Sequence, residues 1–349
     1  MKSKPAKQAS KKGKKKLPVG KGRLTARMSS AVMALALAVC CTVGNWYVRH
    51  PREWLEEHDA FYTAPLRYFG DRSAFVTDAL GWTGHDTVYD SDEPAPTNEV
   101  FFAGAPVRTG DPAPKDIVML RRGEFAVGWS PSLRHPVWAA YHVARDARFG
   151  PIKRPNFQKD RSVASSPSAK DYERSGYDRG HMVPNHAIVS RYGPDEQRKT
   201  FLMTNIAPQR PALNRGPWRE LELFIADLWT ARYGEIWVIV GAISRAAPNE
   251  RALLENASID VPEHYYMLIA AQDGDGVRTL AIMLPQTSRI DDFPVHGIVT
   301  INELEEATGL SFFPDMPKFL SRPIKADRPT RLWPIRLRDL LKLILMRFT

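Results

Sequence analysis

Short runs of β-branched and aromatic residues recur along the second two-thirds of the chain. They are "EFAVGWS" (124–130), "TFLMTN" (200–205), "EIWVIVGAI" (235–243), "HYYMLIAA" (264–271) and "RTLAIMLP" (278–285), each bounded by turn residues. Runs of this length and composition predict strands. Two intervening stretches, "WAAYHVARDAR" (138–148) and "GPWRELELFIADLWTARYG" (216–234), carry helical spacing instead. In the second, Leu221, Phe224, Leu228 and Ala231 form an apolar stripe at steps of three and four, and Gly216-Pro217 suits a helix start. Strands in clusters, with helices that do not strictly alternate, predict an α+β fold: a mostly antiparallel sheet flanked by helices. No internal repeat is visible.

The N-terminal region has a different pattern. Met28–Val48 is 21 residues without a charge, long enough to span a bilayer as a helix. Trp46 and Tyr47, followed by Arg49 and His50, resemble an interfacial anchor. A cleaved signal peptide is the rival reading, but the preceding tail is long and the apolar run exceeds the usual signal core. Residues 1–27 read as a disordered basic arm and 49–98 as a juxtamembrane linker ending in "DSDEPAPTNE". Residues 99–322 read as the folded domain and 323–349 as a basic amphipathic segment. In that last segment Leu337, Leu340, Leu341, Ile344 and Phe348 would share a face, which either packs on the domain or lies on an anionic membrane.

Charge sharpens this division. The chain has 349 residues and a formal net charge of +10. Residues 1–27 hold eleven Lys or Arg and no acid; removing them from the 49 basic residues leaves 38 against 39 acidic ones, a net of −1. The basicity therefore belongs to the arm and places it in the cytoplasm, with everything after residue 50 on the far side of the membrane. At 43% hydrophobic and 25% charged, the chain is too apolar for disorder throughout. Both cysteines, Cys40 and Cys41, fall in the apolar segment, so the exported part has no disulfide and no Cys-ligated zinc.

Two segments carry candidate chemistry: "GYDRGHMVPN" (176–185) and "LNRGPWRELE" (213–222). Most histidines are structural or merely exposed; His181 is distinguished by its neighbours. Gly180 lets a bulky ligand approach the backbone, Arg179 offers a planar fork of donors to a phosphate, and Asp178 is a partner for fixing a ring or strand. Asn214 is an acceptable neutral ligand for a hard cation such as Mg²⁺, which keeps most of its waters; its bland reading is a helix-start residue. In a continuous helix Glu222 would lie about 12 Å further along the axis, too far to share an ion, so it would hold one of the ion's waters or be simply exposed. Were these residues to converge, a neutral imidazole could take a proton from water and the hydroxide attack a phosphodiester. A hydrated Mg²⁺ on Asn214 and the Arg179 guanidinium would then offset the developing charge.

These motifs resemble the DNA/RNA non-specific endonucleases, the ββα-metal nucleases that include endonuclease G. The resemblance runs in order through "FFAGAP" (101–106), "FAVGWSPSLRHPVWAAYHV" (125–143), "FQKD" (157–160), "DRGH" (178–181), "TFLMTNIAPQRPALNRGPWRELE" (200–222), "IWVIVGAI" (236–243), "IDVPEHYYMLI" (259–269) and "ATGLSFF" (307–313). It implies a ββα-metal motif of the His-Me finger kind, with His181 on a strand as general base and Asn214, on the crossing helix, as the sole protein ligand of Mg²⁺ (Mn²⁺ as substitute). It also implies Glu222 as an acid behind the ion's waters, Arg179 as phosphate stabiliser, and Asn205 and Gln209 as polar groups lining the site. An upstream Arg is expected as well, and Arg154 in "KRPNFQKD" is the candidate. DNA and RNA are the implied substrates, and a homodimer is left open.

Against a near-neutral domain, basicity at the site is expected to be local, from Arg191, Arg198, Arg210 and Arg215. The competing functions are a phosphodiesterase on small nucleotide or lipid diesters and a catalytically weak nucleic-acid-binding module. A Lys-rich rather than Arg- and Ser-rich arm favours a bacterial inner membrane with the domain in the periplasm. A secreted protein and a mitochondrial inner-membrane or intermembrane-space protein are the alternatives.

Overall fold

A computed structural model describes residues 100–244, 251–254, 257–273 and 276–335 and the backbone of Thr87–Asp90, all within the unit that begins at Ala74. The basic arm, the apolar segment 28–48 and residues 336–349 lie outside the described residues. Among those described, no helix is long and apolar enough to cross a membrane.

In chain order the strands are β1 (Thr87–Asp90), β2 (Val107–Arg108), β3 (Val118–Arg121), β4 (Phe125–Ser130), β5 (His135–Val143), β6 (Asp178–His181), β7 (Ile206–Gln209), β8 (Ile236–Ile243), β9 (His264–Asp273), β10 (Gly276–Pro285), β11 (Ile298–Val299) and β12 (Leu310–Ser311). The helices are α1 (Asn185–Tyr192), α2 (Pro194–Thr200), α3 (Pro211–Arg215), α4 (Pro217–Leu223), α5 (Thr230–Tyr233), α6 (Ile301–Thr308) and α7 (Lys318–Ala326). An antiparallel sheet has the order β1-β10-β9-β8-β5-β4-β3, with β11 also paired to β10. Its edge strand β1 comes from the stretch read as linker. Separate two-stranded pairs join β2 to β12 and β6 to β7.

Helices cover both faces of this sheet. On one, Tyr141, Val143, Val238, Val240, Tyr265 and Met267 pack with Ile188 of α1 and Leu221, Phe224 and Trp229 of the α4–α5 region. On the other, Trp138, Ala140, Ile239, Tyr266 and Leu268 pack with Phe101, Phe102, Leu304 of α6 and Leu320 of α7. Burying each large side chain this way stabilises the fold by about 1.5–3 kcal/mol.

Double coverage also explains a correction. Residues 138–148, expected as helix, are instead the end of β5 and a following loop. β5 lies inside the sheet with Trp138, Ala139, Ala140, Tyr141 and Val143 all buried, so no polar residue marks an outer face and the alternation of a strand disappears. A second correction concerns 200–205, expected as strand: Thr200 ends α2 and Met203–Asn205 form a 3₁₀ turn. Helix 216–234 forms as expected from Gly216 and Pro217, but Phe224–Trp229 is wound as a wider π-helical segment. That rotates the later stripe, so Trp229 is buried and Ala231 faces solvent. The start of the C-terminal segment packs on the domain through Leu332, Trp333 and Ile335; the apolar face expected from 337 to 348 lies outside the described residues.

Candidate active site

Strands β6 and β7 lie against the main sheet, and specific polar contacts hold them there. The Pro208 carbonyl accepts hydrogen bonds from Tyr265 Oη and, at 2.8 Å, from Gln286 Nε2. Gln286 Oε1 in turn accepts from the Arg210 N–H at 2.8 Å. Beyond the end of β6, Asn205 clamps the chain. Its Oδ1 accepts from Val183 N at 3.0 Å, and its Nδ2 donates to Val183 O at 2.9 Å and Thr200 O at 3.0 Å. The buried Asn205 amide is thus committed to the backbone two residues from His181.

His181, the last residue of β6, is buried between Phe157 and Phe201, with ring centroids 5.3 and 4.9 Å away. Phe157 is held by its neighbours. Gln158 N donates to Phe201 O at 2.9 Å, Met203 N donates to Gln158 O at 2.8 Å, and Asp160 accepts from Arg122 Nη2 at 2.5 Å and Thr204 Oγ1 at 2.7 Å. Of the two imidazole nitrogens, Nε2 is the one sealed from solvent without a partner. Burial, helped by the nearby Arg154 cation, pushes the ring's pKa down to about 3. The ring is neutral at pH 7.

The Arg154 guanidinium lies 5.4 Å over the Phe201 ring, and its charge is felt by both His181 and Glu222. Glu222 keeps a little surface, yet crowding by protein raises its pKa to about 8; Arg154, Arg219 and the Trp218 indole pull the other way and lose. Tyr141, buried on β5 with its hydroxyl unpartnered, is electrostatically coupled to the same carboxyl. Arg179 shares the His181 face of β6, its guanidinium 5.6 Å over Phe157. Expected to meet a phosphate, it instead donates Nε and Nη2 to the Ala169 carbonyl at 3.0 and 2.6 Å, leaving only Nη1 uncommitted.

The Glu222 shift carries a stability prediction. Between its ordinary 4.5 and about 8 the native carboxyl keeps a proton that the unfolded chain releases. Native stability therefore falls as pH rises through that window. Replacing Glu222 by Gln should remove this loss, so with chelator present the variant's Tm advantage should grow from about pH 5 to pH 8. An offset independent of pH would mean that the carboxyl sits in water.

A second group forms around Asp178, near the start of β6. Asp178 Oδ2 accepts from Asn214 Nδ2 at 2.8 Å and Arg215 Nε at 2.9 Å, and its Oδ1 accepts from Arg215 Nη2 at 2.7 Å. Burial alone would raise the Asp178 pKa, but these bonds outweigh it and hold the group a carboxylate. With Nδ2 tied down, the Asn214 amide is oriented and its Oδ1 accepts no hydrogen bond among the described residues. Gln209, paired with Asp178 across the strands, is fully buried with neither amide atom partnered. Its side chain fills the space over Gly180: a Cβ there would stand 2.1 Å from Gln209 Oε1, which is why the position takes glycine. Among the described residues no group of three or more His, Cys, Asp or Glu could hold a metal. One oriented neutral oxygen beside an orphaned buried amide suits a hydrated hard cation rather than a zinc-type site.

The expected residues thus fall into two sets that β6 links: Arg154, Arg179, His181 and Glu222 in one, and Asp178, Gln209, Asn214 and Arg215 in the other. Asp178 and His181 are three residues apart, roughly 10 Å along an extended chain. Phe157, Phe201 and Tyr141 were missed by sequence reasoning because apolar and aromatic core residues carry no chemical signature of a site.

A solved structure, that of EndoG in the EndoG/EndoGI complex, shares the fold with a TM-score of 0.53 at 22% identity, over 58% of this chain and 88% of that one. The mitochondrial nuclease EXOG of Xenopus laevis is 30% identical over 208 residues, 55% of this chain and 57% of its own. The mitochondrial endonuclease G of Bos taurus is 27% identical over 208 residues, covering 56% and 69%. The mitochondrial nuclease of Saccharomyces cerevisiae is 28% identical over 222, covering 56% and 65%. The chain spans under three fifths of the EXOG relatives it matches. The sequence profile of the DNA/RNA non-specific endonucleases matches residues 104–319, a span that takes in both sets of site residues and most of the sheet behind them, so the chain belongs to that family.

Proposed function

We propose that this protein is a divalent-metal-dependent, sugar-non-specific endonuclease that hydrolyses phosphodiester bonds of DNA and RNA, with Mg²⁺ as the native ion. The observation that carries this reading is a histidine buried between Phe157 and Phe201 beside Arg154, a guanidinium with no ion-pair partner among the described residues, whose charge is also felt by Glu222. With Nε2 enclosed, Nδ1 is the nitrogen left to take a proton from water; the hydroxide so formed attacks phosphorus as the P–O bond to the leaving ester oxygen breaks. Arg154 faces the negative charge that builds on the phosphate, since most of the Arg179 fork is spent on Ala169. Glu222 holds a proton at pH 7 and supplies it as a hydrogen-bond donor toward the charge on the leaving side. A divalent cation on Asn214 Oδ1 would neutralise charge on the phosphate oxygens in the transition state. Asp178 holds Asn214 for that purpose, and Gly180 makes room for the Gln209 side chain between the two sets of residues.

We place the domain across a membrane from the Lys-rich arm, anchored by residues 28–48, in a periplasm. The mitochondrial names of the relatives favour the intermembrane space as the alternative. Fractionation with protease protection separates the two. For the activity, full-length protein should degrade plasmid and RNA alike with Mg²⁺, stop in EDTA and recover on adding the metal back. Cleavage of neither polymer with Mg²⁺ or Mn²⁺ would refute the nuclease.

A further inference from the structure

Residues 144–159 connect β5 to the segment that packs on His181, and they hold five cations (Arg145, Arg148, Lys153, Arg154, Lys159) against one acid, Asp146. That local excess of four contrasts with a net of −1 for all of 28–349. None of Arg148, Lys153 and Arg154 makes an ion pair with a described residue, so their charge is available to a ligand. In the middle of this stretch stands Phe149, 42% exposed. It is an aromatic ring in water among unpaired cations.

The ring is held in place. Arg148 N and Phe149 N both donate to Ser190 O, at 2.7 and 3.0 Å, near the C-terminal end of α1. The tip of the ring rests on Gly193, between α1 and α2: a Cβ on that glycine would stand 2.9 Å from Phe149 Cζ. Gly193 has φ +86°, a conformation that by itself disfavours other residues. Phe149 is five residues from Arg154, hence within about 17 Å of it along the chain. Arg154 in turn stacks on Phe201, whose ring touches His181. Adding the Arg154 side chain and the two ring contacts bounds the path from Phe149 to His181 at about 33 Å, so at about 3.4 Å per stacked nucleotide a strand cut at His181 would meet Phe149 within roughly ten nucleotides.

We propose that Phe149 is a base-stacking platform that makes single-stranded nucleic acid the preferred substrate of the His181 site. An unpaired base has a free face to lay on an exposed ring, whereas bases inside a duplex are stacked on one another. A near-neutral domain with three unpaired cations gains little from phosphate contacts alone, so stacking supplies the rest. The proposal rests on the nuclease reading for the cutting step, but its binding step does not.

The test therefore reads binding without cleavage: fluorescence anisotropy of full-length protein in EDTA, with a single-stranded oligonucleotide of about 12 nucleotides and its duplex, a length matched to ordinary single-strand site sizes. Phe149→Ala should weaken single-strand binding about tenfold and duplex binding less than about twofold, and Phe149→Trp should restore it. With metal restored, the alanine variant should raise KM on single strands and leave kcat in place. Equal losses on single strand and duplex, or no loss on either, would overturn the platform. A wild type that binds single strands through Phe149 yet cuts nothing would sink the nuclease reading and leave the platform standing.

Discussion

Replacing His181 by Gln should lower kcat on DNA by about 10²–10⁴-fold, the usual worth of a general base, with KM little changed. Gln fills much of the space between Phe157 and Phe201 but has no basic nitrogen, so the loss reads chemistry rather than a collapsed pocket. The pH profile gives an independent check. The ring's pKa is depressed to about 3, so protonation silences it only in strong acid, and the acid limb of kcat/KM should lie well below the ordinary 6.5. Stability follows the same sign. Between 6.5 and about 3 the unfolded chain binds a proton that the native ring refuses, so stability is lost as pH falls through that window. Removing the positive charge with Arg154→Ala should move the limb back toward 6.5. An acid limb at or above 6.5 in the wild type, or normal turnover in the Gln variant, would remove His181 from the role of base.

Divalent-cation affinity should depend on a carboxylate that never touches the ion. Asp178 fixes Asn214 through a 2.8 Å bond to Nδ2 and is itself gripped by the Arg215 fork. Asp178→Asn replaces a charged acceptor by an amide that can turn either end toward Asn214, freeing Oδ1 to rotate. Outer partners of this kind usually contribute 10–100-fold to metal affinity, so Mn²⁺ binding should weaken by about that factor, and Asn214→Leu should abolish it. Titration followed by electron paramagnetic resonance reads this without nucleic acid or turnover. Unchanged affinity in both variants would place the ion elsewhere.

Much of this protein can be read from its residues alone. Uniform apolar runs such as 236–243 announce strands because β-branched and aromatic residues fit a pleated, buried surface, and Gly216-Pro217 marks a helix start because only the flanking backbone is at issue. The same rules failed at 138–148, where burial of β5 on both faces removed the polar residues that distinguish a strand from a helix. They failed again at Ala231, where one wider turn of helix shifted the stripe.

The candidate residues divide along the same line. His181, Asn214, Glu222 and Arg154 could be named from type, spacing and family pattern, because reactive groups are few and their chemistry is local to each side chain. Their protonation states could not. Whether an imidazole titrates near 6.5 or 3, or a carboxyl near 4.5 or 8, depends on how much water distant segments exclude, and those segments are Phe157, Phe201 and Tyr141. The order of residues determined which reactive groups this chain has for the candidate site. Only the packing of sheet against helix decided that Arg179 is spent on a carbonyl, that Asp178 holds Asn214, and that Phe149 is left exposed, because solvation and hydrogen-bond partners come from residues far apart in the chain.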